Sequence, residues 1–201
     1  MKKLVSLCAA LILGTIAVFA QQPQYDTYFT PERLRVDLTF AGDATYQKIF
    51  LEGLTKECAW SGSKTNLVDP FKYGEYYMEV QTPDGKVIYS KGFNTLFQEW
   101  RTTAEAQTTP QAFNSSYVIP FPKEKVVLKV YERVKATGKH NEILSIGIDP
   151  ADKLISHEVK NDFKVTKVIY NGDPATKVEL LFIAEGYTAD QMEKFLQDAK
   201  R

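Results

Sequence analysis

The sequence is poor in the residues that hold metals and make nucleophiles. It has two histidines, His140 and His157, and two cysteines, Cys8 and Cys58. A helical zinc site needs two histidines four residues apart with a glutamate beside the first. His157-Glu158 opens that way, but Asn161 stands where the second histidine belongs. His140 falls in the polar run Thr137 to Asn141, read as a turn, where a solvated imidazole is the expectation. No Gly-x-Ser-x-Gly elbow, phosphate loop or dinucleotide fingerprint occurs. Cys58-Ala59-Trp60 carries no helix-start signal to activate the thiol, so Cys58 is expected to be a buried small hydrophobe. Carboxylates such as Glu75, Glu79, Asp84, Asp149 and Asp152 are plentiful. They are scattered along the chain, however, and no pair stands out for the two-carboxylate chemistry of a glycosidase.

An excess of one charge is also missing. Lys and Arg number 25, and so do Asp and Glu. Loss of Lys2 and Lys3 with a leader would leave 23 against 25, a net charge of −2. Such a balance gives no footprint for nucleic acid or an anionic membrane. With Cys8 in that leader, no internal disulfide is available, and stability must come from an apolar core. Twelve Phe, eleven Tyr and two Trp suit that demand.

The leader itself is legible. Lys2 and Lys3 precede an apolar stretch from Leu4 to Phe19, and Val18 and Ala20 set small residues at a cleavage position before Gln21. This is the layout of a secretory signal peptide over residues 1–20. It implies export to the periplasm, cell surface or medium, with no membrane insertion after cleavage. Leu7 before Cys8 is too bulky for the usual lipid-attachment site.

Residues 21–158 read as strands. Leu34, Val36, Leu38 and Phe40 alternate with Arg33, Arg35, Asp37 and Thr39 at the two-residue period of a half-buried strand. Tyr76, Met78 and Val80 repeat it and lead into the turn Thr82-Pro83-Asp84-Gly85, with a partner strand from Lys86 to Lys91. Val126, Leu128 and Val130, then Leu144, Ile146 and Ile148, give two more; Tyr46 to Leu54 and Asn114 to Ile119 are read as strands as well. Antiparallel strands with Gly, Pro and Asn punctuation indicate a β-sandwich, and the class is mainly β. Trp60, Tyr73, Tyr76, Tyr77 and Trp100 are candidates for an aromatic face that grips glycan or extended peptide, against the ordinary fate of such residues as core.

Residues 159–201 read differently. Phe163 to Tyr170 is predicted as a strand, and Asn171-Gly172-Asp173-Pro174 as a turn. Lys177 to Ala184 is predicted as a strand covered on both faces. Thr188 and Gln191 have capping-box spacing, and Met192, Phe195, Leu196 and Ala199 form a helical stripe. This strand-loop-helix order starts an α/β layer, which the sequence is expected to leave incomplete. The alternative is that the unit packs back onto the sandwich.

The run from Asn171 to Thr188, ending Glu185-Gly186-Tyr187-Thr188, resembles the opening of the catalytic domain in the IgA-peptidase family of zinc metallopeptidases (metallopeptidase family sixty-four). That family occurs in exported proteins of Bacteroides-like bacteria. The acidic residue of its acidic-Gly-Tyr-Thr loop is usually Asp, here Glu185, and a helix with a Phe like Phe195 follows. The stretch Tyr28 to Asp37 is similar to the start of the family's N-terminal domain. The resemblance implies zinc-dependent peptide hydrolysis in a full-length relative, by a His-Glu-x-x-His helix beyond the loop. None of those ligands has a matching position here, so no catalytic residue, metal ligand or cofactor is assigned to this chain. The expectation is a non-catalytic N-terminal accessory domain whose partners are a catalytic peptidase domain or a protein or peptide substrate. A freestanding sandwich binding glycan or extended peptide is the alternative.

Overall fold

A computed structural model describes residues 22–159, 164–173 and 176–200. The expected signal peptide and its cleavage position lie outside the described residues, as do Phe163 and Pro174 of the predicted strand and turn. A four-residue helix, α1 (Tyr25–Tyr28), leads into β1 (Phe29–Gly42) and β2 (Gln47–Ala59). Then come β3 (Tyr76–Gln81), β4 (Val87–Phe93), a short helix α2 (Leu96–Trp100), β5 (Gln111–Pro122), β6 (Val126–Arg133), β7 (His140–Ile148) and the two-residue β8 (Ser156–His157). The strands make two four-stranded sheets, ordered β5-β1-β2-β8 and β4-β3-β6-β7, antiparallel except for the β2–β8 pair. This is the mainly β sandwich that the alternation demanded.

Strand β1 shows why. Leu34, Val36, Leu38 and Phe40 are fully buried, and Arg33, Arg35, Asp37 and Thr39 point to the other face. The inward row meets Tyr76, Met78 and Val80 of β3 and Leu128 and Val130 of β6 in one apolar cluster. Each such side chain contributes roughly 1.5–3 kcal/mol on full burial. Phe40 sits at the aromatic centre, its ring 5.2 Å from Tyr76 and 6.2 Å from Phe97. The turns follow local chemistry. Gly85 takes φ +87° and donates to the Thr82 carbonyl at 2.8 Å, closing the β3–β4 hairpin. In the β1–β2 turn, Asp43 accepts from the backbone N–H groups of Thr45 and Tyr46 at 2.7 and 2.9 Å. Those bonds hold its carboxyl below the usual carboxylate range.

Four expectations need correction. The described residues of the predicted strands 163–170 and 177–184 form no strand. Val178, Leu180, Leu181, Phe182 and Ile183 are instead 55–89% exposed. An apolar run supplies the propensity for a strand, but a strand also needs a neighbour for its N–H and C=O groups, and among the described residues no strand pairs with this run. His140 is the first residue of β7, paired in register with Arg133, and is half-buried rather than solvated in a turn. Cys58 is exposed rather than buried. Its thiol and its backbone N–H both donate to Glu158 at 3.2 Å, which holds that carboxyl below its ordinary range.

The capped helix is present. Residues Ala189–Gln191 form one 3-10 turn that runs into α3 (Met192–Ala199). The Gln191 side chain reaches back to accept from the Thr188 N–H at 3.2 Å. Among the described residues, no helix is long and apolar enough to cross a membrane.

Candidate functional site

The five aromatic candidates divide by the side of the sheet from which each projects. Tyr76 and Tyr77 are neighbours on β3 and therefore point to opposite faces. Tyr76 enters the space between the sheets, where its hydroxyl donates to Gln47 at 2.7 Å; burial pushes its pKa up to about 12. Tyr77 lies on the outer face, yet it is as fully buried, because the loop from 61 to 75 folds over it. Its hydroxyl donates to Ser90 Oγ at 2.6 Å, and burial raises its pKa against that bond. Trp60 packs edge-on against Tyr89, and its indole donates to the Ser63 carbonyl. Trp100 stacks on Phe97 and donates to Glu105. Only Tyr73 is open to solvent, 75% exposed and stacked on Phe71. The structure therefore does not assemble the five into one surface. Phe71, whose place in the chain carries no local signal for such a role, is the aromatic that Tyr73 does meet.

Charged groups cluster on the outer face of the first sheet. Glu57 is buried and accepts from Arg33 Nε at 2.6 Å and from Arg35 Nη1 at 2.9 Å. Arg35 also donates to Asp37 and Thr55, and Ser116 donates to Asp37. Each carboxylate in this lattice already has a hydrogen-bonded partner, so it braces β1, β2 and β5 rather than waiting for a proton. A second group lies across the opposite sheet. Glu79 accepts from Gln81 and Tyr131, and Lys72 lies 3.7 Å from it. His140 Nε2 is buried without a hydrogen-bond partner beside the Tyr77 ring. Desolvation, then the nearby charges of Lys72 and Arg133, lowers the His140 pKa.

An open cleft of about 350 Å³ lies between α2, the β1–β2 turn and the end of β6. Arg101 shapes it by donating to the Asp43 carbonyl at 2.9 Å and to Glu132 at 3.2 Å. The Arg101 guanidinium is thus spent on holding the turn.

His140 belongs to one sheet and His157 to the other. Among the described residues, no group of three or more His, Cys, Asp or Glu side chains is placed to hold a metal ion. The Glu185-Gly186-Tyr187-Thr188 motif serves the start of α3. Gly186 takes φ +75°, Thr188 caps the turn, and Tyr187 lays its ring 5.2 Å from Phe195 while donating to Asp198.

No curated protein matches the chain. The family described as the peptidase M64 N-terminus matches residues 24–145, a span that runs from α1 into β7 and takes in every strand but β8. With more than half of its length accounted for in this way, the chain belongs to the peptidase M64 N-terminus family.

Proposed function

We propose that the sandwich is a non-catalytic interaction domain of an exported zinc metallopeptidase, one that docks on the catalytic domain or presents peptide substrate to it. The observation that carries this reading is the family match over 24–145, which coincides with a sandwich whose charged groups are engaged in bracing the fold. The likeness of Glu185-Gly186-Tyr187-Thr188 to the opening of the family's catalytic domain supports a position just ahead of such a domain. The leader at residues 1–20 supports export, and the near-neutral charge favours protein or peptide partners over nucleic acid.

The test uses purified residues 21–201. Incubated with zinc and a mixed peptide library, the protein is expected to cleave nothing and to lose the metal on gel filtration. Added in trans to the catalytic domain of an M64 relative, it is expected to bind and to change KM more than kcat, as a substrate-presenting module would. Stoichiometric zinc with chelator-sensitive cleavage by the chain alone would overturn the non-catalytic reading. Absence of any binding to the catalytic domain would remove the docking role.

A further inference from the structure

We propose that Phe71 and Tyr73 form a docking platform for a neutral sugar ring, on the outer face of the β4-β3-β6-β7 sheet. The two side chains are 67% and 75% exposed, with centroids 5.4 Å apart and planes within 12°. Each ring therefore spends one face on its neighbour and leaves the other to water.

The pair is held in place. Between the two rings, Lys72 adopts the left-handed conformation at φ +52° and turns its ammonium inward, 4.9 Å from the Tyr77 ring and 3.7 Å from Glu79. Phe71 N–H donates to Asp69, and Asp69 N–H donates to Ser90. Behind Tyr73, Gly74 takes φ +116°, and the Tyr73 carbonyl lies so close to Gly92 that a Cβ there would meet it at 1.6 Å. Leu67, fully buried, anchors the front of the same loop. A left-handed lysine is an unfavourable conformation that persists only where its surroundings enforce it. Here it sets the half-exposed ammonium beside Tyr77 and Glu79 and leaves both aromatics facing out.

Size and charge select the occupant. A Phe and a Tyr carry about 150–250 Å² each, so the open area is roughly 200–350 Å², well short of the ~800 Å² per partner of a stable protein interface. Apart from Pro70, no other apolar side chain of the loop is exposed. A nucleobase also stacks on such rings, but its phosphates need cations, and the Lys72 ammonium is engaged behind the platform. A neutral pyranose fits what is left. Its face of axial C–H groups matches the electron-rich face of an aromatic ring, and it brings no charge to be neutralised.

The proposal goes beyond the peptidase-associated role and stands or falls separately from it. Residues 21–201 would be titrated by calorimetry with cellohexaose, xylohexaose and chitohexaose, and with oligothymidylate as a charged stacking ligand. Saturable binding to at least one sugar is expected. Phe71→Ala and Tyr73→Ala should each weaken it roughly tenfold or more, Tyr73→Phe should retain it, and Trp100→Ala should leave it unchanged. Ring resonances of Phe71 and Tyr73 in the unsubstituted protein should shift on sugar addition, which reads the site without any variant. No saturable binding to the three sugars, binding that survives in the Phe71→Ala/Tyr73→Ala double variant, or binding of oligothymidylate alone would each overturn the proposal.

Discussion

Strand β1 and the segment 177–184 draw their large apolar side chains from much the same set, with Leu, Val and Phe in both. In β1 the apolar residues alternate with polar ones, each side chain has a floor to land on, and the ladder runs between β2 and β5. In 177–184 they come in near succession, and all the large ones are open to water. The side-chain hydrogen bonds of Tyr187, Thr188 and Lys194 run only to Gln191, Asp190 and Asp198 around α3. The difference teaches that hydrophobicity becomes structure only when neighbouring strands are there to accept it.

The largest expected effect is on backbone opening. Limited proteolysis of residues 21–201 should cut within 176–184 orders of magnitude faster than within β1–β7, leaving a resistant product that keeps all eight strands. Protection of 177–184 to the same degree as β1 would break the comparison. Next, Phe40→Ala should cost ~3–5 kcal/mol in chemical denaturation, whereas Phe182→Ala should stay within about 0.5 kcal/mol. Equal costs would mean that Phe182 has a packing partner.

Smaller effects sharpen the picture inside the sandwich. Glu57→Gln should cost about 1–3 kcal/mol, less than the loss of a fully buried pair, because Arg33 and Arg35 keep part of their surface in water. Tyr77→Phe, which strips the 2.6 Å bond to Ser90 from a buried site, should cost about 1–2 kcal/mol. Tyr187→Phe, next to α3, should be nearly silent. The smallest concerns pH. His140 has a folded-state pKa below its ordinary 6.5, so the unfolded chain binds the proton first as pH falls. Stability should hold above pH 6.5 and decline below it toward the folded-state value, and His140→Gln should flatten that part of the curve. A decline that persists unchanged in the variant would assign it to carboxylates instead.

Much of the sandwich could be read directly from period-two alternation. The inner rows of β1, β3 and β6 and the turns at Gly85 and Gly138 all follow from side-chain order and glycine placement. Helices α1 and α2, at four and five residues, are too short to show a 3.6-residue period, and neither was anticipated. The site was far less legible. Tyr76 and Tyr77 look alike in sequence, and alternation alone implied that one of them faced outward. It could not show that Asp69 and Lys72 would fold back over Tyr77 and leave Tyr73 in the open. That depends on Gly92 making room for the Tyr73 backbone from 19 residues away, a long-range fit that no local pattern encodes.

The β8 strand ties the sandwich to all that follows by two residues in parallel register, with Glu158 locked onto Lys56 and Cys58. A pull on the chain beyond Val159 would load this short seam before the long β1–β2 ladder. The seam would act as a tear-strip: it would part first, baring the outer edge of β2 and releasing the already exposed Cys58 thiol from Glu158, while the double layer behind it stayed whole.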